Sequence, residues 1–326
     1  MTNTNALPVA VVGAGYMGGG IAATFALAGH SVALADATAD LATAGRERLI
    51  AEARLFVAAG LYPEDAPDVL AERLSAAPSI AAAAEGVSYI SEVVSERPDI
   101  KAAVFAALSA AAAHDAVLAS NTSAIPIHEL ARSVVHPERF LGVHWMNPAP
   151  FVPGVEIIPG PETSESVVTR ATELIRGIGK VPVTVPDLPG FIANRLQYVL
   201  HRESSRLVEE GLVTADELDA VVSNSFGFRL AVFGPMAIAD MAGLDVYRDT
   251  YATLEKSLGS AFSPPRYLTD LVEDGHLGLK HGGGLTAISR ADPEDVATYR
   301  NRAYQQLSVL KGALGEAPAA VGGTNA

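Results

Sequence analysis

The chain has 326 residues and a formal net charge of −14, from 23 Lys+Arg against 37 Asp+Glu. At about 150 residues per domain this length implies two domains, and 49% hydrophobic with 18% charged residues describes a compact globular protein. The negative balance opposes a phosphate backbone and excludes nucleic acid as a partner. No apolar run approaches the roughly 20 residues of a membrane span, and the absence of cysteine removes disulfides, thiolate catalysis and zinc–thiolate sites together.

Residues Met1 to Ala6 are polar and lack the basic start and apolar stretch of a signal peptide, so a cytoplasmic location is expected. Val9 to Val12 is a short β-branched run ending in Gly13; Tyr16 to Gly29 reads as a helix and Ser31 to Ala35 as a second strand, a βαβ unit. Amphipathic spacing of Leu41, Leu49, Ala53 and Val57 predicts a helix over Thr38 to Gly60, with another over Tyr62 to Leu74. Strand-like runs follow at Val87 to Glu92, Val117 to Ser120, Leu141 to His144, Val155 to Ile158 and Val181 to Val185. Helices over Pro98 to Ala113 and Ser164 to Ile178 separate several of them. This alternation predicts a doubly wound, mostly parallel α/β sheet.

The pattern stops at Pro186-Asp187-Leu188-Pro189-Gly190. Helical segments then take over at Phe191 to Glu210, Thr214 to Ser225, Pro235 to Met241 and Asp245 to Leu258, with little strand signal. The expected division is therefore residues 1–186 and residues 187–326. The stretch from Gly315 reads as a frayed tail.

Gly13-Ala14-Gly15-Tyr16-Met17-Gly18 follows the pattern G-x-G-x-x-G, and it lies between a strand and a helix. In that setting the first glycine permits the tight turn, the second lets backbone approach a pyrophosphate, and the third allows close packing. The helix N-terminus offers N–H groups and a positive dipole end to the phosphate. Asp36 ends the second strand, where a carboxylate accepts hydrogen bonds from an adenosine ribose; it would repel a 2'-phosphate, which favours NAD over NADP. The plainer alternative is a turn that serves packing alone, with Asp36 a solvated strand end.

Hydride transfer from an alcohol carbon needs a base for the hydroxyl proton. Of eight histidines, His144 ends a strand and precedes Trp145-Met146-Asn147-Pro148, while a proline-rich turn leads to Glu156 on the next strand. Two strand ends joined in this way can set a carboxylate against the imidazole, fixing its tautomer. The other histidines show no metal-ligand spacing, and no metal is expected.

These segments together resemble the 3-hydroxyacyl-CoA dehydrogenase family. The likeness is carried by Gly13 to Gly18 with Asp36, Ser120-Asn121-Thr122-Ser123, Gly142 to Pro148, Glu156, and Asp187 to Arg195. It implies a Rossmann-type doubly wound parallel sheet binding NAD, followed by an all-α C-terminal domain for substrate and dimerisation, and hence a homodimer. The resemblance makes His144 the general acid/base and Glu156 its holder, and gives Ser123 and Asn194 the substrate oxygen. It assigns cofactor contacts on the nicotinamide and ribose side to Glu96, Lys101, Ser123 and Asn147. The implied reaction interconverts a 3-hydroxyacyl compound and its 3-oxo form.

The sequence departs from the family in two places. Counted from Asp36, the positions that meet the coenzyme A nucleotide in the family fall on Glu52 and Ala59, and no lysine precedes Lys101. A polyphosphate needs cations, for which Arg46, Arg48, Arg54 and Arg73 are the candidates. Small free acids, such as sugar acids, pyridine carboxylates or polyketide intermediates, are therefore the rival substrates, and a non-catalytic, crystallin-like NAD-binding protein is the rival from another class. Gly278 to Leu285 matches a family segment without its aromatic ending, and Arg229 is a candidate for a free carboxylate or for a domain or dimer salt bridge.

Overall fold

The computed structural model describes residues 6–315; residues 1–5 and the tail after Gly315 lie outside it. In the first half, β1 (Val9–Val12), α1 (Tyr16–Leu27) and β2 (Val32–Ala35) form the expected opening unit. They are followed by α2 (Ala39–Ala58), α3 (Ala66–Arg73), β3 (Leu74–Ala76), α4 (Ile80–Ala84), β4 (Tyr89–Glu92), α5 (Pro98–Ala111), β5 (Val117–Ser120) and α6 (Ile127–Ala131). Then come β6 (Phe140–Trp145), β7 (Gly154–Pro159), α7 (Glu165–Gly177) and β8 (Val181–Thr184).

The eight strands form one sheet in the order β3-β2-β1-β4-β5-β6-β7-β8, parallel throughout except at β6–β7. The order reverses between β1 and β4, the switch point at which such sheets open a ligand crevice beyond their strand ends. Alternate residues of β1 feed separate apolar layers: Val9 and Val11 join Phe25, Leu34 and Trp145 on one face, Ala10 and Val12 join Ile90, Phe105 and Leu118 on the other. That two-sided burial explains why β1 reads as an unbroken apolar run. Leu74, read from sequence as a helix end, instead starts β3, because pairing with Val32 gives its backbone a ladder partner.

The chain divides into two compact units between Arg202 and Glu203, within α8 (Ala193–Glu209). The second unit holds α9 (Ala215–Asn224), α10 (Phe226–Leu230), α11 (Pro235–Ala242), α12 (Leu244–Leu258), α13 (Arg266–Glu273) and α14 (Pro293–Leu314). Thr214 and Glu217 close a reciprocal capping box on α9, and Asp292 caps α14 ahead of Pro293. The sequence pattern had not marked α13 and α14; α14 buries only Val296, so its core-facing stripe is faint. The core of this unit gathers Ala239, Leu244 and Leu268 with Tyr247, Tyr251 and Leu285. Buried Asp240 accepts the backbone N–H groups of Leu285 and Thr286 and the Thr286 hydroxyl, so the glycine-rich segment folds around it. A Cβ at Gly278 or Gly284 would collide with Asp240, which accounts for both glycines. No helix among the described residues is long and apolar enough to cross a membrane.

Candidate active site

The turn between β1 and α1 consists of Gly13, Ala14 and Gly15. Gly13 adopts φ +112°, and a Cβ there would meet the Val93 carbonyl. A Cβ on Gly18 would collide with the Gly13 carbonyl. Gly15 is different: its Cβ would meet nothing within 4 Å, so no packing contact of the chain requires glycine there. An open approach to the N-terminus of α1 is what a pyrophosphate needs. Tyr16 is exposed, whereas Met17 packs on the core.

Asp36 Oδ2 accepts the Ala14 N–H at 2.6 Å and Oδ1 the Ala37 N–H at 2.7 Å. A carboxylate has about four acceptor sites, so capacity for a ribose hydroxyl remains. Arg48 donates to the Ala14 carbonyl at 2.8 Å and bridges to Glu52 at 2.8 Å, bracing the turn from α2. The open glycine and the carboxylate beside the turn fit a bound NAD.

His144 and Glu156 are direct cross-strand partners in the antiparallel β6–β7 pair. The Nδ1 of His144 lies 2.8 Å from Glu156 Oε2, and both residues are buried. Glu156 Oε1 accepts the backbone N–H groups of Ile192 at 3.0 Å and Ala193 at 2.9 Å. Burial pushes the Glu156 pKa up, but the hydrogen bond with His144 and the two backbone donors outweigh it and hold the carboxyl below its ordinary value. An ionised Glu156 places the ring proton on Nδ1 and leaves Nε2 for chemistry. Phe191, at φ +47°, packs its ring 5.5 Å from the imidazole.

The Nε2 of His144 faces Ser123 Oγ at 3.2 Å. Ser123 lies on the loop after β5, held by Glu96, whose Oε1 accepts the N–H groups of Ser123 at 2.9 Å and Ala124 at 3.1 Å and the Thr122 hydroxyl. Burial raises the Glu96 pKa, and the Thr122 hydrogen bond, the Lys101 charge and those backbone donors bring it below its ordinary value. Lys101 is buried beneath Glu96, with Nζ 2.8 Å from Glu92, 3.2 Å from Glu96 and 3.3 Å from the Val94 carbonyl. Its ammonium is enclosed by the protein and is not a solvated helix lysine. Asn194 Nδ2 donates to the Ser123 carbonyl at 3.1 Å, leaving its second N–H. Asn147 is exposed at the cis bond to Pro148.

Ser123, Gly190, Asn194, Arg195, Tyr198 and Arg202 line a cleft of about 510 Å³. A smaller cavity beside Tyr16 is walled by Phe56, Tyr62 and Phe151, with Glu52 among its lining. Burial first, and then the Glu52 charge, push the Tyr62 pKa up to about 12.

Four residues have supporting roles that the sequence does not reveal. Glu92 anchors Lys101 and accepts the Ser120 hydroxyl at 2.6 Å. Asn121 accepts the Trp145 N–H at 2.8 Å, tying the serine loop to β6. Asp187, marked in the sequence as a boundary and as the start of a family segment but given no role, accepts the Ile127 and His128 N–H groups and so caps α6. Lys180 donates to the carbonyls of Ala149, Pro150 and Val152, clamping the proline turn; burial lowers its pKa. For Lys180 the available signal was the rarity of lysine, five in the chain. The structure also brings His114 to His136 and Glu138, with ligand atoms within 4.8 Å of one another.

The family model for the 3-hydroxyacyl-CoA dehydrogenase NAD binding domain matches residues 8–188, and that for the C-terminal domain matches residues 190–287. The chain is 34% identical over 278 residues to a 5-formyl-3-hydroxy-2-methylpyridine 4-carboxylate 5-dehydrogenase from Mesorhizobium japonicum, covering 85% of this chain and 89% of the relative. It is also 34% identical over 278 residues to a probable 3-hydroxybutyryl-CoA dehydrogenase from Bacillus subtilis, covering 85% and 96%. Among solved structures, the 3-hydroxyacyl-CoA dehydrogenase of Archaeoglobus fulgidus matches with a TM-score of 0.78 at 30% identity, covering 93% of this chain and 99% of that one. Sequence, sheet order and nucleotide turn agree: the chain belongs to the 3-hydroxyacyl-CoA dehydrogenase family and is an NAD-dependent oxidoreductase acting on CH–OH, interconverting a 3-hydroxyacyl compound and its 3-oxo form.

Proposed function

We propose that His144 is the general acid/base of this reaction and that Glu156 holds it. The observation that carries the reading is the relay Glu156–His144–Ser123, with separations of 2.8 Å and 3.2 Å, whose outer member lines the cleft. NAD, when bound, supplies or accepts the hydride. In the reducing direction the Ser123 hydroxyl and the free N–H of Asn194 donate to the carbonyl oxygen as negative charge grows there. His144, starting doubly protonated, delivers its Nε2 proton in that direction; in the oxidising direction the neutral ring takes the hydroxyl proton at Nε2, and ionised Glu156 steadies the imidazolium in both.

On the cofactor side, Gly13, Ala14, Gly15, Tyr16, Met17 and Gly18 form the phosphate turn and Asp36 takes the adenosine ribose. Glu96, Ser123 and Asn147 serve the nicotinamide side, and Lys101 acts there through Glu96, whose charge it neutralises from below. A homodimer belongs to the same reading, supported by the exposed Leu212, Val221, Leu254, Val309, Leu310 and Leu314 of the second unit. A division at residues 186 and 187 lies close to where the two family models meet, between residues 188 and 190, and ahead of the point between Arg202 and Glu203 at which the compact units separate. A cytoplasmic location accords with the cysteine-free composition.

The test is NADH oxidation with acetoacetyl-CoA and with free 3-oxo acids, comparing wild type with His144→Ala. Turnover by the wild type that collapses in the variant supports the assignment. Tight NADH binding without turnover of any probe favours a binding protein instead.

A further inference from the structure

We infer that the physiological substrate carries its own free carboxylate and that Arg202 anchors it in the cleft, an inference that rests on the oxidoreductase reading above. Two sets of arginines carry it. Around α2 and α3, where a coenzyme A nucleotide would need cations, three of the four candidate arginines are directed elsewhere. Arg46 donates from Nε and Nη2 to the carbonyls of Leu74 and Ala71, both at 2.6 Å, and Arg73 donates to the Gly29 carbonyl at 2.7 Å. Arg48 is held between the glycine turn and Glu52. The neighbouring cavity is aromatic and contains a carboxylate, Glu52, which opposes a phosphate. Arg54 is left as the one uncommitted guanidinium of the four among the described residues.

The cleft shows the opposite balance. Arg202 is exposed and lines the cleft, and its guanidinium, like that of Arg195, makes no hydrogen bond or ion pair among the described residues. Asn194, Tyr198 and Arg202 recur every four residues on α8 and share one face. The rise from Asn194 to Arg202 is about 12 Å, and helical side chains lean toward the N-terminus. A long arginine side chain at this position is able to extend back toward Asn194, so that a carboxylate a few bonds from an oxo group held by Ser123 and Asn194 is within its range. Arg195 lies in the segment that carries the family likeness, so it cannot separate the two substrate classes; Arg202 lies beyond that segment. A guanidinium fork matches a carboxylate with two parallel hydrogen bonds.

The experiment measures NADH oxidation with acetoacetate, 3-oxopentanedioate, methyl acetoacetate and acetoacetyl-CoA by wild type, Arg202→Ala and Arg202→Lys, with circular dichroism and NADH titration as controls for folding. A free acid is expected to be the preferred substrate. Arg202→Ala should raise its KM about ten- to a hundredfold with little change in kcat, and Arg202→Lys should recover part of the loss. Esterifying the acid should raise KM by a similar factor in the wild type, and the two losses should not multiply, because both remove one contact. Preference for acetoacetyl-CoA over every free acid, or a free-acid KM indifferent to Arg202→Ala, overturns the anchor and leaves the oxidoreductase reading standing. No turnover of any of the four, with NADH binding intact, overturns both.

Discussion

The two units hide apolar surface in different ways. In the first, β1, β4, β5 and β6 are buried along their whole length between two apolar layers, and only the edge strand β8 exposes apolar side chains, Val181 and Val183. In the second, α9 and α10 bury no residue at all, the core cluster holds three buried apolar side chains, Ala239, Leu244 and Leu268, and Val309, Leu310 and Leu314 stand exposed along α14. Each large apolar side chain taken fully from water contributes about 1.5–3 kcal/mol. The first unit therefore has within itself the burial that holds His144, Glu156 and Ser123 to hydrogen-bond distances. The second leaves comparable apolar side chains exposed, the observation on which its proposed part in association rests.

The sharpest way to break this contrast is to remove the proton carrier. His144→Ala should lower kcat by about 10²- to 10⁴-fold while NADH affinity stays within about threefold. Steady-state kinetics and NADH fluorescence titration measure the two separately, and a parallel loss of NADH binding would place His144 in the cofactor site instead. Next, equal truncations should have unequal costs in the two units. Ile90→Ala, in the sheet core, should destabilise by about 2–5 kcal/mol, and Leu314→Ala by less than about 0.5 kcal/mol, read from urea midpoints at low protein concentration. Val309→Glu together with Leu310→Glu should turn a two-chain species into single chains in sedimentation velocity; a wild type that sediments as one chain would remove the assembly role.

Smaller effects test the glycine turn. Gly18→Ala should cost about 1–3 kcal/mol of stability, because its Cβ meets the Gly13 carbonyl. Gly15→Ala should leave the melting temperature unchanged and weaken NADH binding, since its Cβ enters open space where the pyrophosphate must approach. The smallest effect concerns pH. Glu156 has a depressed pKa when folded, so its stabilisation is fully present above the ordinary carboxylate value near about 4.3 and is lost as pH falls through the lower folded value. Urea midpoints measured from pH 6 to pH 3 should therefore fall less steeply for Glu156→Gln than for wild type.

The βαβ opening, the glycine turn and Asp36 were legible because each depends on local chemistry: a β-branched run, a turn that tolerates positive φ, and a helix start. His144 and Glu156 were legible as a pair because only a short proline turn separates two strand-like runs. Lys101 reads as a solvated helix lysine by any local rule, and only the enclosing Glu92 and Glu96 give it a buried, paired environment. Asp187 marked a boundary in sequence, and its capping of α6, from 60 residues away in the chain, needed the fold. The strand β3 was missed because its identity comes from pairing with β2 and not from its three residues.

Taken alone, the sequence determined the nucleotide turn, the alternation of strands and helices, and the residue types available for proton transfer. These follow from periodicity and backbone preference, which act over a few residues. The tertiary structure decided which carboxylate holds which base, which arginines are committed to carbonyls, and which line the cleft. Such choices depend on side chains brought together from distant segments, and no local preference encodes those distances.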